Sequence, residues 1–140
     1  LRHGRDAVAR IRFAGRIELF EARLPQDPAP LDSYQFILSS SVLHHFDDPA
    51  TLWQSLHHWG PCGTPVFIFD LLRPRTEQEA EELIRQHIAG EPEVLQQDFR
   101  NSLFAAYSLD EVRQQLATFE LSHLRVEQVS DRHLITWGHV

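Results

Sequence analysis

Eleven consecutive residues, SSSVLHHFDDP at positions 39–49, hold three hydroxyls, two imidazoles and two carboxylates. Imidazole and carboxylate can ligate zinc, but such a site needs three or four ligands. His44 and His45 are adjacent, so their side chains diverge on a helical turn, while His44 with Asp47, or His45 with Asp48, would share a side. Two ligands are too few, and His57 and His58 stand a helix away with no matching spacing, so no metal is expected. A hydroxyl, a base and an acid could form a nucleophile relay, but the strained Gly-x-Ser-x-Gly turn is missing. What remains is proton transfer by an imidazole that titrates near neutral pH, and ligand binding by hydroxyls and backbone groups. The plain alternative, one histidine in the core and one exposed, stays open beside these.

The flanking elements decide where this stretch sits. Residues 34–39 (YQFILS) form a short apolar run that fits a buried strand. Asp48-Pro49 reads as a helix start: Asp caps, and proline suits a first turn whose N–H groups lack partners anyway. The helix carries Leu52, Trp53 and Leu56 toward a core and ends near Gly60. After the turn PCGT, the run PVFIFDLL is apolar almost without a break, as expected of a strand covered on both faces. Strand, helix, strand with tight turns is a right-handed parallel crossover. Ser39–Ser41 then fall at a carboxyl strand end, outside which open α/β sheets bind ligands. Asp70 and Arg73, in FDLLRP, end the second strand at the same edge. They read either as ligand contacts or as a local ion pair.

Elsewhere the pattern is regular. Residues 1–14 predict a helix with Val8 and Ile11 on one side, Arg2, Arg5, Arg10, Arg12 and Arg16 in a solvated face, and Gly15 as its stop. Residues 16–22 (RIELFEA) alternate like a strand, and LPQDPAPLDS is a loop. Thr76-x-x-Glu79 and Ser108-x-x-Glu111 are capping boxes that open helices to about residues 89 and 119. Residues 90–107 read as irregular. LRVEQVSDRHLITWGHV predicts an antiparallel hairpin. The whole is α/β, with a mostly parallel sheet and one reversed strand at its end.

Size and composition set outer limits. The 140 residues suggest one domain, and 42% hydrophobic residues can fill its core. Thirteen Lys+Arg against twenty Asp+Glu leave a net charge of −7, against the basic footprint that nucleic-acid binding needs. Cys62 is the sole cysteine, which excludes an internal disulfide and a cysteine zinc cage and suits the reducing cytoplasm. No apolar run is long enough for a membrane-spanning helix, and the start lacks a signal-peptide pattern. The sequence neither begins with Met nor contains one, which hints at a piece of a longer protein.

Residues 34–74, from YQFILSSSVLHHFDDP through the turn Pro61-Cys62-Gly63 to FDLLRP, resemble a class I S-adenosylmethionine-dependent methyltransferase. That family shows a strand, a small polar residue, LHHF or similar, D-P, a helix, a P-G-G-like turn and a strand ending in D. Here the turn is one glycine short. Residues 16–25 resemble the preceding strand, and the tail hairpin resembles the reversed last strand.

The resemblance implies a Rossmann-like sheet and methyl transfer from S-adenosylmethionine. It places Glu21, Ala22 and Arg23 near the adenine, and Ser39 and Ser40 near the methionine part and the reactive methyl. Leu43 and His44 would close that side, with His44 or His45 as the base where one is needed. Arg73, Phe99 and Tyr107 would face the acceptor, within or beside a substrate cap at residues 76–107. A small-molecule acceptor is expected, with no nucleic acid and no membrane.

The family's glycine-rich loop and ribose-binding acid are absent, so the sequence resembles a carboxyl-terminal part lacking the first two strands. Residues 16–22 would then lack a neighbour, and residues 34–39 would form an open sheet edge, to be covered by those strands, by a second copy in a homodimer or by another partner. A non-catalytic, methyltransferase-like scaffold or dimerisation domain is the alternative.

Overall fold

The expected crossover is present in a computed structural model that describes residues 2–11 and 14–140. Strand β1 (Ile37–Ser40) leads through a 3-10 turn at Leu43–His45 into helix α2 (Ala50–Trp59) and then strand β2 (Pro65–Leu71), which pairs parallel to β1. The Asp48 carboxylate accepts the Ala50 N–H at 2.9 Å, so the Asp-Pro pair starts the helix as its chemistry requires. The turn before β2 needs glycine: Gly63 adopts a φ of +91° while its N–H donates to the Val140 carbonyl.

Beyond β2 come helices α3 (Glu77–His87), α4 (Glu93–Ala105) and α5 (Leu109–Thr118), then strands β3 (Arg125–Gln128) and β4 (His133–His139). Thr76 caps α3 by accepting the Glu79 N–H, and Ser108 with Glu111 forms a complete capping box on α5. The hairpin folds back so that β4 lies between β2 and β3, giving the order β1-β2-β4-β3 with β4 alone reversed. The fold is α/β around an open, mixed four-stranded sheet.

In-register side chains share a face. One face carries Val66, Ile68 and Leu134 against Leu52, Trp53 and Leu56 of α2 and Val112 and Leu116 of α5, the main core. On the other face Leu71 packs with Ala80, Leu83 and Ile84 of α3 and Leu103 of α4, a second and smaller core. The rest of that face is only half covered: Phe67, Ile135 and Trp137 line a shallow apolar hollow of about 300 Å³ together with exposed Phe36.

Three expectations need correction. Residues 16–22 form no strand; the alternating pattern is there, but no strand lies beside it to take its N–H and C=O groups. Residues 90–107 are not irregular, since most of them form α4. The signal was weak because only Leu103 of α4 is fully buried, while Val94, Leu95 and Phe104 stay exposed. The first helix, α1, spans only Arg2–Ala9 and buries no residue; Leu1, Arg12 and Phe13 lie outside the described residues.

Candidate functional site

Asp70 organises the carboxyl ends of β1 and β2. It points into the protein, 1% exposed, at the end of an apolar strand. Its Oδ2 accepts the N–H groups of Val42 and Leu43, each at 2.8 Å, and so caps the 3-10 turn that follows β1. Its Oδ1 meets His44 Nδ1 at 2.6 Å and accepts the Leu71 N–H at 2.9 Å. Burial pushes this carboxyl up, but the hydrogen bond from His44 and those from the turn outweigh it, and the group lies below the usual carboxylate value. A charge held this way inside a protein needs every lone pair occupied, and here each oxygen has two donors.

The turn is shaped by a second contact. Ser41 takes the left-handed conformation, φ +55°, and donates its N–H to the Phe69 carbonyl at 2.8 Å. The chain therefore leaves β1 sharply at the strand end. Ser40, Ser41 and Val42 stay on the surface, while Leu43 and His44 turn inward. Leu43, 1% exposed, is a core residue. His45 is exposed and its ring lies 4.0 Å from that of His44, tilted by 41°.

Ser39 and Ser40 point to opposite faces of the sheet, because successive strand residues alternate. Ser40 is exposed, whereas the Ser39 hydroxyl is buried and has no hydrogen-bond partner. Thr136, across Ile68 in the same row of the sheet, carries the other such hydroxyl among the described residues.

Arg73 and Tyr107 come together. The Arg73 N–H donates to the Tyr107 carbonyl at 3.2 Å, and Leu72 bridges Tyr107 in parallel fashion. The Arg73 guanidinium pairs with Glu111, and that hydrogen bond, with those from Ser108, brings the Glu111 carboxyl down to about 2 against burial. Glu111 is thus both helix cap and ion-pair partner; reading it as a capping residue alone hid the second role. The Tyr107 hydroxyl is pushed up by burial and by the charges of Asp48 and Glu111. Beside this pair, Arg73, Arg75, Ser108, Arg113 and Asp131 line a cavity of about 420 Å³. Phe99 does not join them; it is half-buried against the core between α3 and α4.

Nor does the structure join Glu21, Ala22 and Arg23 to the turn after β1. Arg23 closes a local loop with Asp27, whose side chain accepts the Arg23 N–H at 2.7 Å. The Asp27 carbonyl accepts Trp59 Nε1–H at 3.2 Å, at the end of α2 away from His44. Among the described residues no group of three or more His, Cys, Asp or Glu is placed to hold a metal ion.

No family model and no curated protein matches the sequence. Solved structures do. An S-adenosylmethionine-dependent methyltransferase from Aquifex aeolicus superposes with a TM-score of 0.55 at 16% identity, over 87% of this chain and 54% of that one. The plantazolicin methyltransferase BpumL, solved with a triazolic desmethylPZN analog and SAH, gives a TM-score of 0.61 at 14% identity, over 96% of this chain and 63% of that one. The chain therefore spans between about half and two thirds of the length of these neighbours. With these superpositions, the chain has the fold of the class I S-adenosylmethionine-dependent methyltransferases.

Proposed function

We propose that this chain is part of a methyltransferase that uses S-adenosylmethionine and acts on a small-molecule acceptor. The observation that carries the reading is the turn after β1. Its left-handed Ser41, pinned to β2, leaves the hydroxyls of Ser40 and Ser41 and the side chain of Val42 facing outward at the carboxyl edge of two parallel strands. When bound, S-adenosylmethionine supplies an electrophilic methyl group on a sulfonium centre. In this reading the backbone at Ser39, the outward Ser40 hydroxyl and the backbone around Leu43 lie beside the cofactor, and His44 or His45 takes a proton from the acceptor where needed. Arg73 and Tyr107 face the acceptor, and the helical pair α3–α4 within residues 76–107 caps it. Glu21, Ala22 and Arg23 reach the adenine only if their loop repositions on binding.

A net charge of −7 supports this acceptor class over a polyanion such as RNA. BpumL was solved with a small triazolic compound, which accords with this. A lone, exposed Cys62 suits a reducing compartment such as the cytoplasm. Among the described residues no helix is long and apolar enough to cross a membrane. The free edge of β1, with Leu38 64% exposed, is where a covering strand from a partner or a second copy completes the sheet.

Titration calorimetry of the folded chain with S-adenosylmethionine and S-adenosylhomocysteine tests the reading. Micromolar binding supports it. A folded chain that gives no heat with either favours the alternative, a methyltransferase-like scaffold or dimerisation unit.

A further inference from the structure

We propose that the cavity of about 420 Å³ between the end of β2, the starts of α3 and α5 and the hairpin tip binds a small carboxylic acid, with Arg75 as its anchor. In the proposed function Arg73 faces the acceptor, so this deepens that reading and names the acceptor class: an acid with an apolar body. The inference rests on that reading only in calling the occupant the acceptor.

The lining divides by chemistry. Leu72, Pro74 and Leu109 supply apolar surface, and the guanidinium groups of Arg73, Arg75 and Arg113 stand among them. The acids of the lining are each tied to a donor of the protein itself. Glu79 accepts the Arg75 N–H at 2.7 Å, and Asp131 meets His87 at 2.6 Å and Arg132 at 3.0 Å. Asp110, 92% exposed at the mouth, pairs with Arg113 at 2.8 Å. Arg73 pairs with Glu111, which Ser108 also holds. The Arg75 guanidinium, by contrast, has no hydrogen-bond or ion-pair partner among the described residues.

The acids are thus satisfied while one cation is open. A guanidinium offers a carboxylate parallel N–H donors, and a concave, partly apolar wall strengthens that contact by keeping water off it. The apolar wall takes the body of the ligand, as in small-molecule sites generally. An ammonium would meet three guanidinium groups here, and a neutral compound would leave Arg75 without a counter-charge. Because the whole chain carries −7, its overall field repels an acid, so the local donors must carry the binding.

The test titrates benzoate into the 15N-labelled 140-residue protein without cofactor. It follows the arginine Nε–H signals and the backbone signals of residues 72–75 and 108–113. Saturable shifts centred on these residues are expected at millimolar benzoate, with benzamide and benzylammonium about tenfold weaker or worse. Arg75→Gln keeps the backbone N–H that Glu79 accepts and removes the anchor, so benzoate should bind about tenfold more weakly. Arg85→Gln, at an exposed arginine further along α3, should leave the affinity unchanged. Absence of saturation with benzoate overturns the proposal, and so does equal binding of benzamide. Unchanged binding in Arg75→Gln, or equal weakening by both substitutions, overturns it too. Cofactor binding is measured separately by calorimetry, so a chain that takes benzoate but no cofactor keeps the acid site and loses only the methyltransferase reading.

Discussion

Asp70 and His44, 26 positions apart in sequence, meet as a buried pair at 2.6 Å, with side chains 1% and 4% exposed. Their contact ties the end of β2 to the turn after β1, and the two backbone N–H groups of that turn depend on the same carboxylate. Asp70→Ala should therefore cost about 3 kcal/mol or more in urea denaturation, since it strands several buried donors together. The folded-state carboxyl lies below its ordinary value, so its contribution is full at neutral pH and disappears as pH falls through that lowered value. A loss under 1 kcal/mol at pH 7 would contradict the hub role.

Glu111 gives a sharper acid signature. Its carboxyl drops from 4.5 to about 2 in the folded protein. The stability this provides is complete above about pH 4.5 and vanishes as pH approaches 2. Both partners are more than a third exposed, so water screens the pair. Glu111→Gln should lower stability at pH 7 by less than about 1 kcal/mol. The gap between variant and parent should close by about pH 2 in a series of thermal melts.

Thr136 offers a gain. Its hydroxyl is buried without a partner between Ile68 and Val126. Thr136→Val keeps the shape and removes the unsatisfied group, and should raise stability by roughly 1 kcal/mol. A loss on chemical denaturation would show that the hydroxyl has a bonding partner in solution.

Leu38 stands on the outer strand with its side chain in water. Leu38→Lys should leave unfolding within about 0.5 kcal/mol of the parent. Light scattering across a concentration series should show weaker self-association, because charge on an edge strand opposes pairing. Identical association in both proteins would mean that the β1 edge is not the sticky one.

Local signals in the sequence were legible and long-range ones were not. Asp48, Thr76 and Ser108 start helices where their spacing says they should, because a cap is made within a few residues. The run 65–71 is a strand, buried on one face and only half covered on the other, and the tail is a hairpin for the same local reasons. The alternating residues 16–22 carried a strand pattern, but a strand exists only with a neighbour, and that is not written in the segment itself. Asp70 was visible as a strand-end carboxylate. That it turns inward to cap residues 42 and 43 depends on how two strands lie side by side. The partnership of Arg73 with Glu111 was hidden because a capping box already accounted for Glu111. Phe99 had the residue type for an acceptor pocket, yet packing claims it.

The position of β4 bears on how the protein is made. It follows β3 in sequence yet lies between β2 and β3, and each of its seven residues faces a residue of β2. As a ribosome delivers the chain, β1, α2 and β2 emerge early and can close their crossover, but one flank of β2 stays bare until β4 has left the exit tunnel. During that interval the aromatic and aliphatic row Val66, Phe67, Ile68 and Phe69 is open to wrong partners. Synthesis that stalls between α5 and β4 would leave this row waiting for a chaperone, and the sheet would zip only when its central strand arrived last.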